Sequence, residues 1–225
     1  MPPEPVTRSP KAEQTRQNIV DTAMRLFRAG GYDRTTMRAI ADEAGVSIGN
    51  AYYYFSSKEH LIQAFYDRMA RDVATEAESV LDRETEFAER LSGVLQTWVT
   101  VAEPYHEFAG KFFKNAAEPQ SPLSPFSPES QQARDDAIQM FRKVMDGSSI
   151  KLNPGLRAAM PELLWLLHMG VVLFWVYDDS EDQRRTRTLI DKAVPLVDRT
   201  ARLTRLPLVR GLVDDMLDLI NSLKR

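Results

Sequence analysis

Segment 47–55 concentrates side chains that can hydrogen bond to the edges of nucleic-acid bases. It reads Ser-Ile-Gly-Asn-Ala-Tyr-Tyr-Tyr-Phe and contains no acidic residue. A helix that enters the major groove needs polar side chains for the base edges and no negative charge beside the phosphates. Asn50 suits an adenine edge, and Tyr53 suits bases or thymine methyl groups. The segment therefore predicts a helix that contacts double-stranded DNA.

Residues in and around this segment predict further contacts. Gly49 lets the backbone approach DNA closely, and the hydroxyl of Tyr54 and the ammonium of Lys58 can bind phosphates, which sets register rather than sequence preference. Arg38 is a candidate for bases or phosphate, whereas Tyr52 is expected to pack mainly in the core. The predicted DNA-contacting residues are Thr36, Arg38, Ser47, Ile48, Gly49, Asn50, Tyr53, Tyr54 and Lys58.

Two short helices must hold these side chains in place, over about 37–44 and 47–55. Short helices joined by a tight turn are typical of a helix-turn-helix. Thr36 and Ser47 are expected to be the N-caps of the two helices, and Gly45 fits the left-handed conformation that the turn demands. The sequence therefore predicts a recognition helix on a small helical frame.

A capping box is expected to open the long helix that follows. Ser56 would accept a hydrogen bond from the amide of Glu59, and the Glu59 carboxylate would reach back to Ser56. This helix begins near Ser57 and runs past Val80. Its start lies directly after the predicted helix-turn-helix.

Fifteen positions between residues 36 and 61 follow the pattern of a known family. They are Thr36, Ile40, Ala41, Ala44, Gly45, Val46, Ser47, Gly49, Tyr52, Tyr54, Phe55, Ser57, Lys58, Glu59 and Leu61. Through them, residues 12–72 resemble the DNA-binding domain of the TetR (tetracycline-repressor-like) family of bacterial transcriptional regulators. Ile48 departs from the pattern, because the family often carries a lysine there that can contact phosphate or base. Ala39 and Ala51 replace a frequent aspartate and leucine.

The resemblance implies a sequence-specific transcription factor, usually a repressor, that binds a near-palindromic operator as a homodimer. It implies that a small-molecule effector of unknown identity releases the DNA. The expected organisation is a flexible arm over 1–11, the DNA-binding domain over 12–72 and a ligand-binding and dimerisation domain over 73–225. No catalytic residue, cofactor or metal is expected.

The rest of the chain predicts an all-α fold of nine or ten helices. Apolar residues recur with helical spacing from Lys11 onwards, and no convincing alternating strand pattern is found. The one long loop carries four prolines between Glu118 and Pro128. Pro195 is expected to bend the helix over about 182–205 without ending it, and a last amphipathic helix is expected over 209–220.

The C-terminal half is rich in aromatic residues, most of which are expected to pack in the core. A subset is expected to line an effector pocket between helices. The candidate ligand-binding residues are Trp98, Phe112, Phe141, Trp165, His168 and Trp175. The long apolar helix over 156–177 and the helix after it suit a subunit interface. The uncharged run 163–177 is shorter than the roughly 20 residues of a bilayer crossing, so it predicts a buried helix and a cytoplasmic protein.

Composition narrows the alternatives. The chain has no cysteine, three histidines and a net charge of −3, but residues 8–58 carry eight Lys or Arg against five Asp or Glu. An all-α enzyme of the ferritin-like kind is disfavoured, because the single Glu-x-x-His motif, Glu103 to His106, has no second copy. The second alternative is a helical protein that keeps this fold but acts only through protein partners. A DNA-binding measurement distinguishes the predicted regulator from these alternatives.

Overall fold

The described part of the chain is mostly α-helical and contains no β-strand. The structure is a computed structural model that describes residues 9–118 and 120–204, together with residues 211, 215 and 222. Its nine α-helices are α1 Pro10–Gly30, α2 Met37–Glu43, α3 Ile48–Tyr54, α4 Lys58–Arg83, α5 Phe87–Ala102, α6 His106–Ala117, α7 Gln131–Asp146, α8 Pro154–Val176 and α9 Arg184–Leu203. The predicted all-α fold is confirmed.

The helices form two compact units. One consists of the chain up to Arg68 together with Glu107–Gln131, and the other of Met69–His106 together with the chain after Gln131. A single boundary near residue 72 is expected from the sequence, but segment 107–131 packs with the N-terminal helices. Helix α4 contributes residues to both units.

Packing of α1 to α3 builds the core of the first unit. Ile19 and Phe27 of α1, Ile40 and Ala41 of α2 and Ala51 of α3 are all buried. Burial of these apolar side chains fixes how the short helices lie, since helices of seven residues are marginal alone. The two ends of α1 are set by Ser9, whose hydroxyl accepts from the Ala12 amide, and by Gly31, whose φ is +86°.

One expectation for a chain segment in this unit needs correction. The sequence predicts a flexible arm that includes residues 10 and 11, but α1 begins at Pro10, because Ser9 provides its N-cap. Residues 1–8 of that arm lie outside the described residues. Phe112 packs between Tyr32 and Phe108 of the first unit, with ring centroids 5.2 and 5.1 Å away, and its place in an effector pocket stays a prediction.

The proline-rich segment after α6 is a series of turns held together by hydrogen bonds from polar side chains. Gln63 donates from Nε2 to the carbonyl of Pro122 (2.7 Å) and to the hydroxyl of Ser130 (3.1 Å). The hydroxyl of Ser127 also donates to the Pro122 carbonyl. Serine hydroxyls thus satisfy backbone groups that a loop leaves unpaired.

The second unit is organised around α5, α7, α8 and α9. Leu95 and Val99 of α5, Leu164 of α8 and Ile190 of α9 are buried. Helix α9 continues through Pro195, as predicted. Among the described residues, α8 is the one helix long and apolar enough to cross a membrane. Buried core helices can have the same length and composition, so this observation alone does not indicate a membrane span. The predicted helix over 209–220 falls almost entirely outside the described residues.

Candidate functional site

The turn between α2 and α3 has the capped geometry of a helix-turn-helix. The hydroxyl of Thr36 accepts from the Ala39 amide (3.2 Å), and that of Ser47 accepts from the Asn50 amide (3.1 Å). Gly45 has a φ of +69°, a conformation that a side chain would strain. Both predicted caps and the predicted left-handed glycine are therefore present.

Helix α3 presents nearly all of its side chains to solvent. Ala51 is its one buried residue, and no side chain on α3 is acidic. Ile48, Gly49, Asn50 and Tyr53 are exposed, and Tyr53 is 81% exposed. Apolar burial normally stabilises helices as short as seven residues. Packing therefore does not explain why α3 exposes so many of its side chains.

Tyr52 was expected to pack in the core, and this is wrong. Its side chain is 51% exposed. Ala51 and Phe55, four residues apart, face inward, so Tyr52 is turned about 100° away from that face. Tyr54 is only half-buried, and its ring meets Tyr53 edge-on at 5.2 Å.

Lys58 is held by the loop after α1. Its ammonium donates to the carbonyl of Tyr32 (2.8 Å) and lies 4.4 Å from the centre of the Tyr32 ring. The side chain is half-buried, so part of the ammonium's hydrogen-bonding capacity is used inside the protein. Contact between Lys58 and a phosphate stays a prediction.

The expected capping box at residues 56–59 is wrong. Helix α4 begins at Lys58, and the hydroxyls of Ser56 and Ser57 lie 3.1 and 3.0 Å from Nδ1 of His60. The Glu59 carboxylate instead accepts a hydrogen bond from the hydroxyl of Tyr32 (2.8 Å). Burial raises the pKa of Glu59, but hydrogen bonds from Ser57, its own amide and Tyr32 outweigh this and lower it.

Tyr32 is a residue that the sequence analysis missed. Its carbonyl and ring receive Lys58 and its hydroxyl binds Glu59, so it ties the start of α4 to the end of α1. Burial, followed by the Glu59 hydrogen bond, raises the pKa of the Tyr32 hydroxyl. A tyrosine 26 residues from its partner leaves no local pattern, so only the resemblance could have indicated it.

A second candidate site is a cluster of aromatic rings in the second unit. Trp98 of α5 lies 4.9 Å from the ring of His168 and 5.2 Å from that of Trp175, both on α8. Phe141 of α7 lies 5.8 Å from His168, and His106 lies 4.8 Å from Trp175. The structure thus brings together Trp98, Phe141, His168 and Trp175 of the six predicted ligand-binding residues. Trp165 is buried on the same helix.

His168 is neutral at physiological pH. Its side chain is 8% exposed, and burial lowers its pKa to about 4. A neutral imidazole has one N–H donor and one acceptor nitrogen. Within the described residues, neither ring nitrogen of His168 nor the indole nitrogen of Trp175 has a hydrogen-bond partner.

Glu103 and His106, which have the spacing of a di-iron motif, point to separate partners. Glu103 pairs with Arg187 at 3.2 Å, and Nε2 of His106 donates to the carbonyl of Trp175 at 2.7 Å. In the part of the chain that the structure describes, no group of three or more potential ligand residues could hold a metal ion.

Comparison with known families accounts for most of the chain. Residues 19–65 match the family described as bacterial regulatory proteins, tetR family, and residues 90–219 match the tetracyclin repressor-like C-terminal domain. The second match alone covers more than half of the 225 residues. The chain therefore belongs to the TetR family of bacterial regulatory proteins, and the resemblance read from residues 36–61 is confirmed.

Curated relatives share only part of this chain. The transcriptional regulator TtgR of Pseudomonas putida is 38% identical over 79 residues, which are 32% of this chain and 37% of TtgR. The transcriptional repressor KstR of Mycobacterium tuberculosis is 45% identical over 49 residues, 22% of each chain. The chain thus aligns with less than two fifths of the length of these relatives.

Solved structures resemble this fold over about four fifths of the chain. A TetR regulator from Nitrosomonas europaea has a TM-score of 0.63 at 22% identity and covers 81% of this chain and 97% of its own. FadR of Thermus thermophilus, solved in complex with lauroyl-CoA, has a TM-score of 0.59 at 20% identity and covers 80% of this chain and 93% of its own. These likenesses show the fold.

Proposed function

We propose that this protein is a transcriptional regulator, acting as a repressor, that binds a near-palindromic operator as a homodimer and is released by a small-molecule effector. The observation that carries the proposal is helix α3, which is exposed, free of acidic side chains and held at a capped turn. The protein acts in the cytoplasm and by binding rather than by catalysis.

Base recognition falls to the outermost side chains of α3. Asn50 presents an amide that can pair with adenine, and the Tyr53 ring is largely exposed to solvent. A Cβ added at Gly49 would meet no atom of the protein within 4 Å, so the surface there is open to a close approach by DNA. Ile48 offers an apolar contact instead of the family's frequent lysine.

Residues at the edges of this surface are expected to set the register and orientation of α3 on the DNA. Arg38 and the hydroxyl of Thr36 are exposed at the start of α2. Ser47 is exposed at the turn before α3, and Tyr54 and Lys58 lie at the end of α3 and the start of α4. Contacts from such groups to phosphate fix the orientation of the helix without reading sequence.

An apolar surface on α8 and α9 favours a homodimer. Gly170 is exposed on α8, and the large exposed apolar residues of the two helices are Leu166, Leu173, Phe174, Tyr177, Leu196 and Leu203. Residues 166, 170, 173 and 177 recur every three to four positions, so they share one face of α8. A second copy of the same face would bury these side chains. Two α3 helices must lie about 34–36 Å apart to enter successive major grooves of DNA.

Effector control requires that the effector favour one dimer geometry over another. The aromatic cluster of the second unit is the proposed binding surface for the effector. Helix α4 contributes residues to both units, so it is a continuous element through which effector binding can affect the DNA-binding helices. The complex of the structural neighbour FadR with lauroyl-CoA supports an effector site on this fold. A coupling of about 1–3 kcal/mol changes operator affinity roughly 5–150-fold, enough to release DNA without unfolding.

The test is binding of the full chain to duplexes from the region upstream of its own gene, followed by substitutions at two kinds of position. Asn50→Ala and Tyr53→Ala should lower the preference for operator over unrelated DNA, because they remove base contacts. Tyr54→Phe and Lys58→Gln should weaken binding to all sequences alike. Lys58→Gln should also reduce the slope of log K against log salt by about 0.9.

Arg71→Gln is the matched control for Lys58→Gln, because it removes an exposed charge from the same helix outside the proposed surface. It should leave the salt slope unchanged. Because Lys58 also binds the Tyr32 carbonyl, the melting temperature of each variant is measured alongside. If all four substitutions leave binding unaltered, the proposed surface is wrong.

A further inference from the structure

Three polar atoms in the aromatic cluster are buried and unpaired. Within the described residues they are both ring nitrogens of His168 and the indole nitrogen of Trp175, and Trp175 is only 3% exposed. Most buried polar groups in proteins are hydrogen-bonded, so three orphans on one helix face are unusual. His168 and Trp175 are seven residues apart on α8, two turns along the same face.

The surrounding rings do not replace the missing hydrogen bonds. Trp98 meets both His168 and Trp175 edge-on, at interplanar angles of 76°. An N–H group that points at an aromatic face gains less than one that points at an oxygen or nitrogen. The face of an aromatic ring cannot donate a hydrogen bond, so the acceptor nitrogen of His168 is left without a donor.

The side chains that pack around these atoms are apolar and come from several helices. Phe141 of α7 lies against His168, and Leu164 and Val171 are buried one turn away from it on α8. Apolar walls with a few convergent polar groups are the usual composition of a small-molecule site.

We propose that His168 and Trp175 are the polar anchor of the effector site, and that the effector is an uncharged, ring-bearing molecule with a hydroxyl or carbonyl group. The indole N–H donates to the effector's oxygen, and the His168 imidazole takes the complementary role. A hydroxyl can satisfy either residue, since it can accept one hydrogen bond and donate another. This inference rests on the proposed function, because it assumes that the bundle receives an effector.

Charge excludes other classes of effector. Each anchoring atom belongs to a neutral group, and burial keeps the imidazole neutral. An ionised carboxylate or phosphate placed among these rings would lose its hydration without gaining an opposite charge there. The anchor therefore selects a neutral polar group.

Phenol, toluene and benzoate test this with one ring and three substituents. The readout is the NMR signal of each tryptophan indole N–H in ¹⁵N-labelled full chain, with Trp175 assigned by its loss in Trp175→Phe. Phenol should bind about tenfold more tightly than toluene, which lacks the buried hydrogen bond. It should also bind at least about tenfold more tightly than benzoate, whose carboxylate would lose its hydration without a partner of opposite charge. It should move the Trp175 indole proton downfield.

Two substitutions separate an anchor from a merely structural pair. His168→Leu should remove the preference for phenol over toluene and raise the melting temperature, because it deletes an unsatisfied polar group. Ile190→Val, a buried change on α9, should lower the melting temperature slightly and leave the preference unchanged. A structural role for His168 predicts the opposite change in melting temperature.

Several results would overturn the proposal. These are equal binding of phenol and toluene, tighter binding of benzoate, no response of Trp175 to millimolar phenol, or a bound water at the Trp175 indole that phenol does not displace. DNA binding by the wild-type chain without any probe is measured in parallel. If DNA binding persists while the probe results fail, the effector anchor is wrong and the proposed function stands.

Discussion

Asp178 shows how one residue can fix the start of a helix. It is buried, and its carboxylate accepts hydrogen bonds from the amides and hydroxyls of Ser180 (3.1 and 2.6 Å) and Thr186 (2.7 Å each). Burial raises the pKa of Asp178, but these hydrogen bonds outweigh it and lower the pKa to about 2. The charged form is therefore favoured in the folded state.

Asp178→Asn should lower the free energy of unfolding at pH 7 by about 2–3 kcal/mol, the value of a shift of about two pKa units. In the wild type this contribution is full above pH 4 and is lost as the pH falls from about 4 to about 2, since the unfolded chain binds the proton first. Urea unfolding across this range measures it. Asp179→Asn, an exposed neighbour, is the control, and equal losses for the two variants would contradict the assignment.

Residue-level prediction from the sequence succeeded where the determinants are local. Thr36, Ser47 and Gly45 act through neighbours within four residues, so spacing alone reveals their roles. Tyr52 and Lys58 were harder, because their surroundings depend on how α3 and α4 meet the loop after α1. No pattern in a single sequence encodes that meeting.

Arg90 joins the ends of two helices. Its buried guanidinium donates to the carbonyls of Leu81 and Glu84 (2.7 Å) at the end of α4, and to those of Lys143 (2.7 Å) and Val144 (3.0 Å) at the end of α7. Helix C-termini leave such carbonyls unpaired, and a cation is favoured beside them. Burial lowers the pKa of the Arg90 guanidinium, which still stays charged.

Arg90→Lys should lower the free energy of unfolding by about 2–4 kcal/mol, because one ammonium cannot reach four carbonyls in a fixed fork. Gly147→Ala should have a similar effect, since a methyl group there would overlap the guanidinium. Arg157→Lys is the matched control, a more exposed arginine that also donates to an α7 carbonyl. Thermal unfolding of the three variants checks this, and an Arg90→Lys loss no larger than that of Arg157→Lys would refute it.

At the level of elements, the sequence predicts the helices but not how all of them group. Periodicity correctly marks the helices along the chain because each buries one face. The sequence predicts that segment 107–131 belongs to the C-terminal domain, and this boundary stays a prediction. The segment packs with the N-terminal helices through Phe108, Phe112 and the turn at Pro122. Reading the chain in order suggests a single domain boundary. The compact units in the structure are instead formed by aromatic and polar contacts between segments that are distant in sequence.

At the scale of the whole molecule, the exposed apolar face of α8 and α9 determines the oligomeric state that we propose. Leu173→Lys should convert the dimer to a monomer, because the charge would lie in the apolar contact of both copies. Phe126→Lys, at an exposed apolar residue of the first unit, should leave the dimer intact. Sedimentation equilibrium measures both, and a dimer that survives Leu173→Lys would place the interface elsewhere.

The loss of dimer should also be visible on DNA. A monomer carries one α3 helix, so Leu173→Lys should bind a duplex with two half-sites no more tightly than a duplex with one. Equal preference of wild type and variant for the double site would separate DNA binding from this face.

The most direct test of the whole account is a fluorescence-anisotropy titration of the full chain with a labelled duplex from upstream of its own gene, repeated over a range of salt concentrations. We predict saturable binding that competitor DNA of unrelated sequence removes poorly, with log K falling linearly against log salt. Binding that is absent at low salt, or that unrelated DNA competes equally well, would contradict the claim that α3 reads a DNA sequence.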